Sequence, residues 1–239
     1  MSKVKFIVML LAGSLIMNSC GSLSETAKGS LLGGGGGAAL GAVIGGLIGD
    51  GIGAAIGAGI GAAVGAGTGA IIGHKMDKAA EAASAIEGAE VEQITDNNGL
   101  QAVKVTFESG ILFGSGASTL STTAKSSLTE FANRVLKVNQ DMDVKIYGYT
   151  DNQGWRNSTV AQSKQKNLDL SQNRAQSVSS YLVSCGINPT QIKSIEGLGE
   201  EHPVADNSTP SGRQKNRRVE VYVYASAAMI QQAEEGTLQ

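Results

Sequence analysis

The chain has 239 residues and a formal net charge of −2, which argues against bulk nucleic-acid binding because phosphate-backbone contact needs a concentrated basic surface. Its 33 glycines against 3 prolines are too unevenly spread for one globular core, with most glycine before residue 74 and an ordinary domain composition after about residue 99. The one dense basic run, Arg213 to Arg218, is broken by Gln214 and Asn216, and taken alone it reads as a solvated loop.

The N-terminus carries Lys3 and Lys5, an apolar stretch from Phe6 to Met17, and then Asn18-Ser19-Cys20-Gly21. A bilayer-spanning helix needs about 20 apolar residues, so this shorter stretch has the layout of an export signal. A small residue before a cysteine at the end of the apolar run resembles a lipobox, although Met17 stands where leucine is usual. That resemblance implies a lipoprotein signal peptide over 1–19, cleavage before Cys20, acylation of Cys20 and stable attachment to membrane lipid. The alternative is a disulfide between Cys20 and Cys185, the two cysteines of an exported chain. With Cys20 acylated, Cys185 is a small buried thiol near a helix end. Residues 20–30 then form a short tether.

From Gly33 to Gly73 a glycine occupies every fourth position, and from position 40 the residue before each is Leu40, Ile44, Ile48, Ile52, Ile56, Ile60, Val64, Thr68 or Ile72. On a helix this period sets a groove of bare backbone beside a ridge of mostly branched side chains, a surface that mates with a copy of itself in lipid. One helix over the whole ladder would be about 60 Å long at ~1.5 Å per residue, twice a ~30 Å hydrocarbon core. Asp50-Gly51 near its centre marks a turn. A helical hairpin over 31–73 is therefore expected, able to enter a membrane and to form a homo-oligomer; the alternative is a flexible Gly/Ala linker. The segment, with its Met76-Asp77-Lys78 exit, resembles the glycine zippers of envelope lipoproteins. Residues 74–99 read as a short helix and then a linker ending in the turn Asp96-Asn97-Asn98-Gly99.

Residues 100–226 read as a domain with its own core. Val103, Val105 and Phe107 alternate as a strand. Leu128, Phe131, Val135 and Leu136 recur at helical spacing, Val144, Ile146 and Tyr147 make a second strand, and Leu168 to Ser184 a second helix. Strands at Ile192–Ile195 and Val219–Val223 complete a β-α-β-α-β-β order, an α+β two-layer sandwich. Residues 227–239 read as a tail.

Polar residues concentrate at the joints between these elements: Gly148, Thr150, Asp151 and Gly154; then Asn167, Leu170, Ser171, Arg174 and Ala175; then Gly212, Arg213, Asn216, Arg217, Arg218, Val219 and Glu220. In this order they resemble the OmpA-like peptidoglycan-binding domain over roughly residues 100 to 225. The resemblance implies that Asp151 takes the ammonium and Arg174 the carboxylate of the zwitterionic end of diaminopimelate in a peptidoglycan stem peptide. Arginine is the planar fork suited to carboxylate, and aspartate accepts from an ammonium. Thr150, Asn167 and the loop after Phe113, including Gly116, would complete the pocket with Arg217 close by. Arg213 and Arg218 are expected to be structural, pairing near Glu220 or packing on the sheet. Between Gly154 and Asn167 the chain carries a longer insertion than the family, with Trp155, Arg156, Lys164 and Lys166, readable as a lid over the glycan or as a longer loop.

An enzyme reading fails on inventory, because His74 and His202 are the only histidines and neither sits in a nucleophile or metal-ligand pattern. The ladder is not a phosphate loop, since no Gly-Lys-Ser/Thr follows. The expected function is a non-enzymatic tether between the outer membrane and the cell wall, with the C-terminal domain in the periplasm. The rival is a membrane-active zipper oligomer or pore moored to the wall. Neither needs a cofactor or a metal.

Overall fold

The computed structural model describes residues 66–95 and 101–238, so the signal, Cys20 and the ladder up to Gly65 lie outside the described residues. In chain order the elements are α1 (Ala66–Ser84), β1 (Ala89–Thr95), β2 (Gln101–Glu108), a short α2 (Ser109–Leu112), α3 (Thr122–Phe131), β3 (Met142–Gly148), α4 (Val160–Ser184), β4 (Ile192–Gly197), α5 (Pro210–Asn216), β5 (Arg218–Ala225) and α6 (Ala227–Glu234). Helix α3 runs on as a π-turn over Ala132–Leu136.

The sheet order is β1-β2-β5-β3-β4, antiparallel throughout except for β3 and β4, whose parallel pairing requires the α4 crossover between them. The expected α+β order from β2 to β5 is present, with α5 added before β5. One face of the sheet presents Val103, Val105, Phe107, Val219, Val221 and Val223, all fully buried, and Phe107 meets Phe131 of α3 edge-on at 6.0 Å. The other face of β5 is buried too, but by Arg218, Glu220, Tyr222 and Tyr224, with Tyr147 edge-on to Tyr222 at 5.6 Å.

Four sequence expectations need correction. Helix α1 crosses Gly73 without a break, so no helix end falls at residue 73, and the rest of the expected hairpin lies outside the described residues. Residues 89–95 are not linker but an edge strand, paired with β2 from Ala89 opposite Phe107 to Thr95 opposite Gln101. Glu90 and Glu92 hid the alternation; acidic side chains are a usual guard on an edge. Residues 227–234 form a helix capped by Ser226, with Met229, Ile230 and Ala233 buried. Finally, the core is not contained in 100–226: Ile72, Met76, Ala79, Ala83, Ile86 and Ile94 are 0–3% exposed within the same cluster. The ridge position Ile72 at the end of the glycine ladder is thus buried within the core of the C-terminal domain. No helix among the described residues is long and apolar enough to cross a membrane.

Helix α4 also begins earlier than expected, at Val160. A capping box explains the start: the Thr159 side chain accepts from Gln162 N, and the Gln162 side chain accepts from Thr159 N. Its first two turns are mostly solvent-facing, so they lack the apolar repeat that announces a helix. Cys185 caps the other end, partly buried and with a free thiol 3.8 Å from Thr129 Oγ1.

Candidate functional site

The parallel strands β3 and β4 end at Gly148 and Gly197, which face each other in register. A Cβ on Gly148 would lie 2.1 Å from Ser171 O, and one on Gly197 would lie 2.2 Å from Gln172 N. Only bare backbone lets α4 settle this close to the sheet, and the contact fixes the height of Asn167 and Arg174 over the strand ends. Beyond Gly148 the chain is held by Tyr149 N to Arg218 O at 2.9 Å and Thr150 N to Gly199 O at 2.7 Å. Ser109 N donates to Arg217 O at 2.8 Å, which brings α2 to the same end.

These clamps enclose a cavity of about 710 Å³. Gly116, Thr150, Asp151, Asn167, Arg174 and Arg217 all line it, joined by Ser109, Phe113, Trp155 and Arg156. All six expected pocket residues are therefore brought together, whereas Cys20 lies outside the described residues. Three arginines against one aspartate make the lining cationic, as a receptor for a carboxylate-bearing ligand requires.

The side chains play unequal parts. Arg174 is 3% exposed; its Nε donates to Ala117 O at 3.0 Å and its guanidinium carbon lies 5.1 Å from the centre of the Phe113 ring. Its Nη1 is buried without a partner. Burial, reinforced by Arg217 and opposed by Asp151, lowers its pKa to about 10, so it remains a cation at neutral pH. Asp151 is 6% exposed, and its Oδ1 accepts from Gln153 N at 3.1 Å. Its Oδ2 accepts from Arg217 Nη1 at 2.5 Å, a pairing not foreseen from the sequence.

Four buried side-chain polar atoms among the described residues lack a partner, and three of them belong to residues of this cavity: Ser109 Oγ, Thr150 Oγ1 and Arg174 Nη1. Leaving such groups unmade costs about 1–3 kcal/mol each, more for a charge, so their gathering at one place marks hydrogen-bonding capacity that suits a polar ligand. Ser109 escaped the sequence reading because no motif contains it.

Asn167 differs from expectation. Its Oδ1 accepts from Trp155 Nε1 at 2.7 Å, and its Nδ2 faces Gln153 O at 3.2 Å, with Asp151 O and Glu200 Oε2 at 3.4 Å. The amide is thus engaged in holding the Asp151 loop. Gly116 contributes backbone at φ +64°, a conformation that suits glycine. Of the basic run, only Arg217 enters the cavity. Asn216 accepts from Val204 N and Ala205 N, and Arg213 Nη1 donates to Asn207 O and Ser208 O. Arg218 Nε donates to Glu220 Oε1 at 2.7 Å while its guanidinium stacks 3.7 Å from the Tyr149 ring centre. The basic run is thus largely folded into structure rather than a solvated loop.

Residues 112–217 match the OmpA family, and residues 1–77 match the YMGG-like Gly-zipper. The peptidoglycan-binding protein ArfA of Mycobacterium tuberculosis is 45% identical over 97 residues, covering 39% of this chain and 27% of that protein. The outer-membrane lipoprotein YfiB of Pseudomonas aeruginosa is 37% identical over 117 residues, covering 49% of this chain and 64% of that protein. In both cases the matched region spans less than two thirds of the relative. A MotB-like protein from Desulfovibrio vulgaris shares the fold, with a TM-score of 0.55 at 22% identity, covering 67% of this chain and 94% of that one. Most of the cavity lining, from Phe113 to Arg217, thus falls within the stretch that matches the OmpA family, and the chain carries this stretch behind a segment that matches the YMGG-like Gly-zipper.

Proposed function

We propose that the chain is a non-enzymatic tether that links the outer membrane to the cell wall by holding the diaminopimelate of peptidoglycan stem peptides in this cavity. The observation that carries the reading is the buried, unpartnered Nη1 of Arg174 in a cationic lining that also contains Asp151. A diaminopimelate side chain ends in an ammonium and a carboxylate on one carbon. The carboxylate would complete Arg174 and the ammonium would join Asp151, while the hydroxyls of Thr150 and Ser109 supply two further hydrogen bonds. Arg217, already on Asp151 Oδ2, fixes that carboxylate in place and adds positive charge at the mouth.

The relatives support the same reading, since one is named for binding peptidoglycan and another as an outer-membrane lipoprotein. On this reading Cys20 carries the acyl chains, residues 31–73 add contact with lipid or with a second copy, and the OmpA-family domain lies in the periplasm. The test uses the full chain in detergent, incubated with purified diaminopimelate-type sacculi and then with a soluble stem tripeptide. Sedimentation with the sacculi and release by the tripeptide are expected. A chain that stays in the supernatant, or that the tripeptide does not release, contradicts the proposal.

A further inference from the structure

The charged end of one amino acid occupies little of a ≈ 710 Å³ cavity, a size typical of pockets for whole small-molecule ligands of about 300–1,000 Å³. The rest of the lining includes Gln153, Gly154, Trp155 and Arg156, from the segment that precedes α4. Trp155 is the only tryptophan of the chain. Its ring is set rather than loose. Nε1 donates to Asn167 Oδ1 at 2.7 Å, its backbone N donates to Ser163 Oγ at 2.9 Å, and its far edge would lie 3.8 Å from a Cβ on Gly116. Asn157 just after it holds a left-handed φ of 57°, and the Thr159–Gln162 capping box starts the helix that supplies both Ser163 and Asn167.

With its N–H already used inside the protein, the indole offers a ligand only an aromatic surface. It is partly exposed, the exposed polar side chains of Gln153 and Arg156 line the cavity beside it, and Lys166 Nζ stands over one face of the ring, 5.9 Å from its centre. An aromatic face rimmed by hydrogen-bonding groups matches a pyranose ring, whose polarised C–H bonds meet the negative face of the π-system while its hydroxyls reach outward. A purely apolar partner would leave that rim unused.

We propose that Trp155 is the platform of a second subsite in the same cavity, which takes a sugar ring of the glycan to which the bound stem peptide is attached. The inference rests on the peptidoglycan reading and adds to it that this chain recognises sugar as well as peptide. Trp155 would then be the element of the insertion that selects glycan-linked stems over free peptides.

Calorimetry on the full chain in detergent tests this with two ligands, a disaccharide-linked diaminopimelate stem peptide and the same peptide without sugars. The wild-type chain is expected to bind the sugar-linked form about tenfold more tightly than the bare peptide, and Trp155→Ala to reduce that ratio to nearly one. Trp155→Phe, which keeps an aromatic face but lacks the N–H, should retain most of the preference. Equal binding of the two ligands by the wild type, or a preference that survives Trp155→Ala, overturns the subsite but leaves the peptide site standing. Loss of the bare peptide in Trp155→Ala at unchanged Tm also overturns it, since the indole would then act as a prop for Asn167. A wild type that binds neither ligand overturns the peptidoglycan reading itself, and this inference with it.

Discussion

Arg217 Nη1 donates to Asp151 Oδ2 at 2.5 Å, with the arginine side chain 37% exposed and the aspartate 9%. On the proposed reading the aspartate would meet its ligand already partnered on one oxygen, so that Asp151, Arg174 and Arg217 would act as a triad rather than as a pair. Arg217→Ala should leave Tm nearly unchanged, because a partly exposed pair contributes about 1 kcal/mol or less. It should nevertheless weaken sacculus binding. The double substitution Asp151→Ala/Arg217→Ala should cost less affinity than the two single losses added together. Strictly additive losses would separate the two residues functionally.

Arg174 is the sharper case. Its buried cation, with Nη1 unpaired, burdens the free protein, and on the proposed reading a ligand carboxylate would satisfy it. Arg174→Met should therefore lower affinity at least thirtyfold, about 2 kcal/mol, with Tm unchanged or higher. Binding lost only in step with Tm would make Arg174 a structural residue.

Helix α1 and strand β1 complete the core, so a fragment cut at residue 101 should fail where one cut at 66 folds. Burying Ile72, Met76, Ile86 and Ile94 stabilises the fold by about 1.5–3 kcal/mol each, a sum comparable with the whole stability of a typical domain. Residues 66–238 are expected to melt cooperatively, while 101–238 should aggregate or lose its transition. Equal Tm values would show that α1 and β1 are ornaments.

Much of the domain was legible because its residues report one environment each. Val103, Val105 and Phe107 alternate since only one face of β2 is fully apolar, and the motif glycines mark a close helix-to-sheet approach. The six pocket residues were reached through the family's motifs, and all six line one cavity. Periodicity could not show α4 before Leu168, whose polar turns face solvent, nor β1, whose edge position asks for charge. The Asp151–Arg217 pair and the partnerless Ser109 hydroxyl depend on residues more than 60 positions apart meeting at the strand ends, which no local pattern encodes.

Burial alone would raise the carboxyl of Glu220, but Arg218, with help from the Tyr222 hydroxyl and Lys104, holds it below its ordinary 4.5. A carboxylate lowered on folding contributes stability that is present above about 4.5 and lost as pH falls through the folded value. Arg218→Met removes the chief counter-charge and should cost about 3–5 kcal/mol at pH 7. The Tm gap from wild type should narrow by pH 4, where the stranded Glu220 is protonated. A gap constant with pH would mean that Arg218 acts only through its packing on Tyr149.

The central claim, that a carboxylate on the stem residue completes Arg174, is tested most directly by wall chemistry. Diaminopimelate carries that carboxylate and lysine lacks it, so calorimetric titration of the full chain with otherwise identical stem peptides of the two kinds isolates a single group. The diaminopimelate peptide should bind at least thirtyfold more tightly to the wild type, and Arg174→Met should reduce that ratio to nearly one. Equal affinity of the wild type for both peptides would contradict the account.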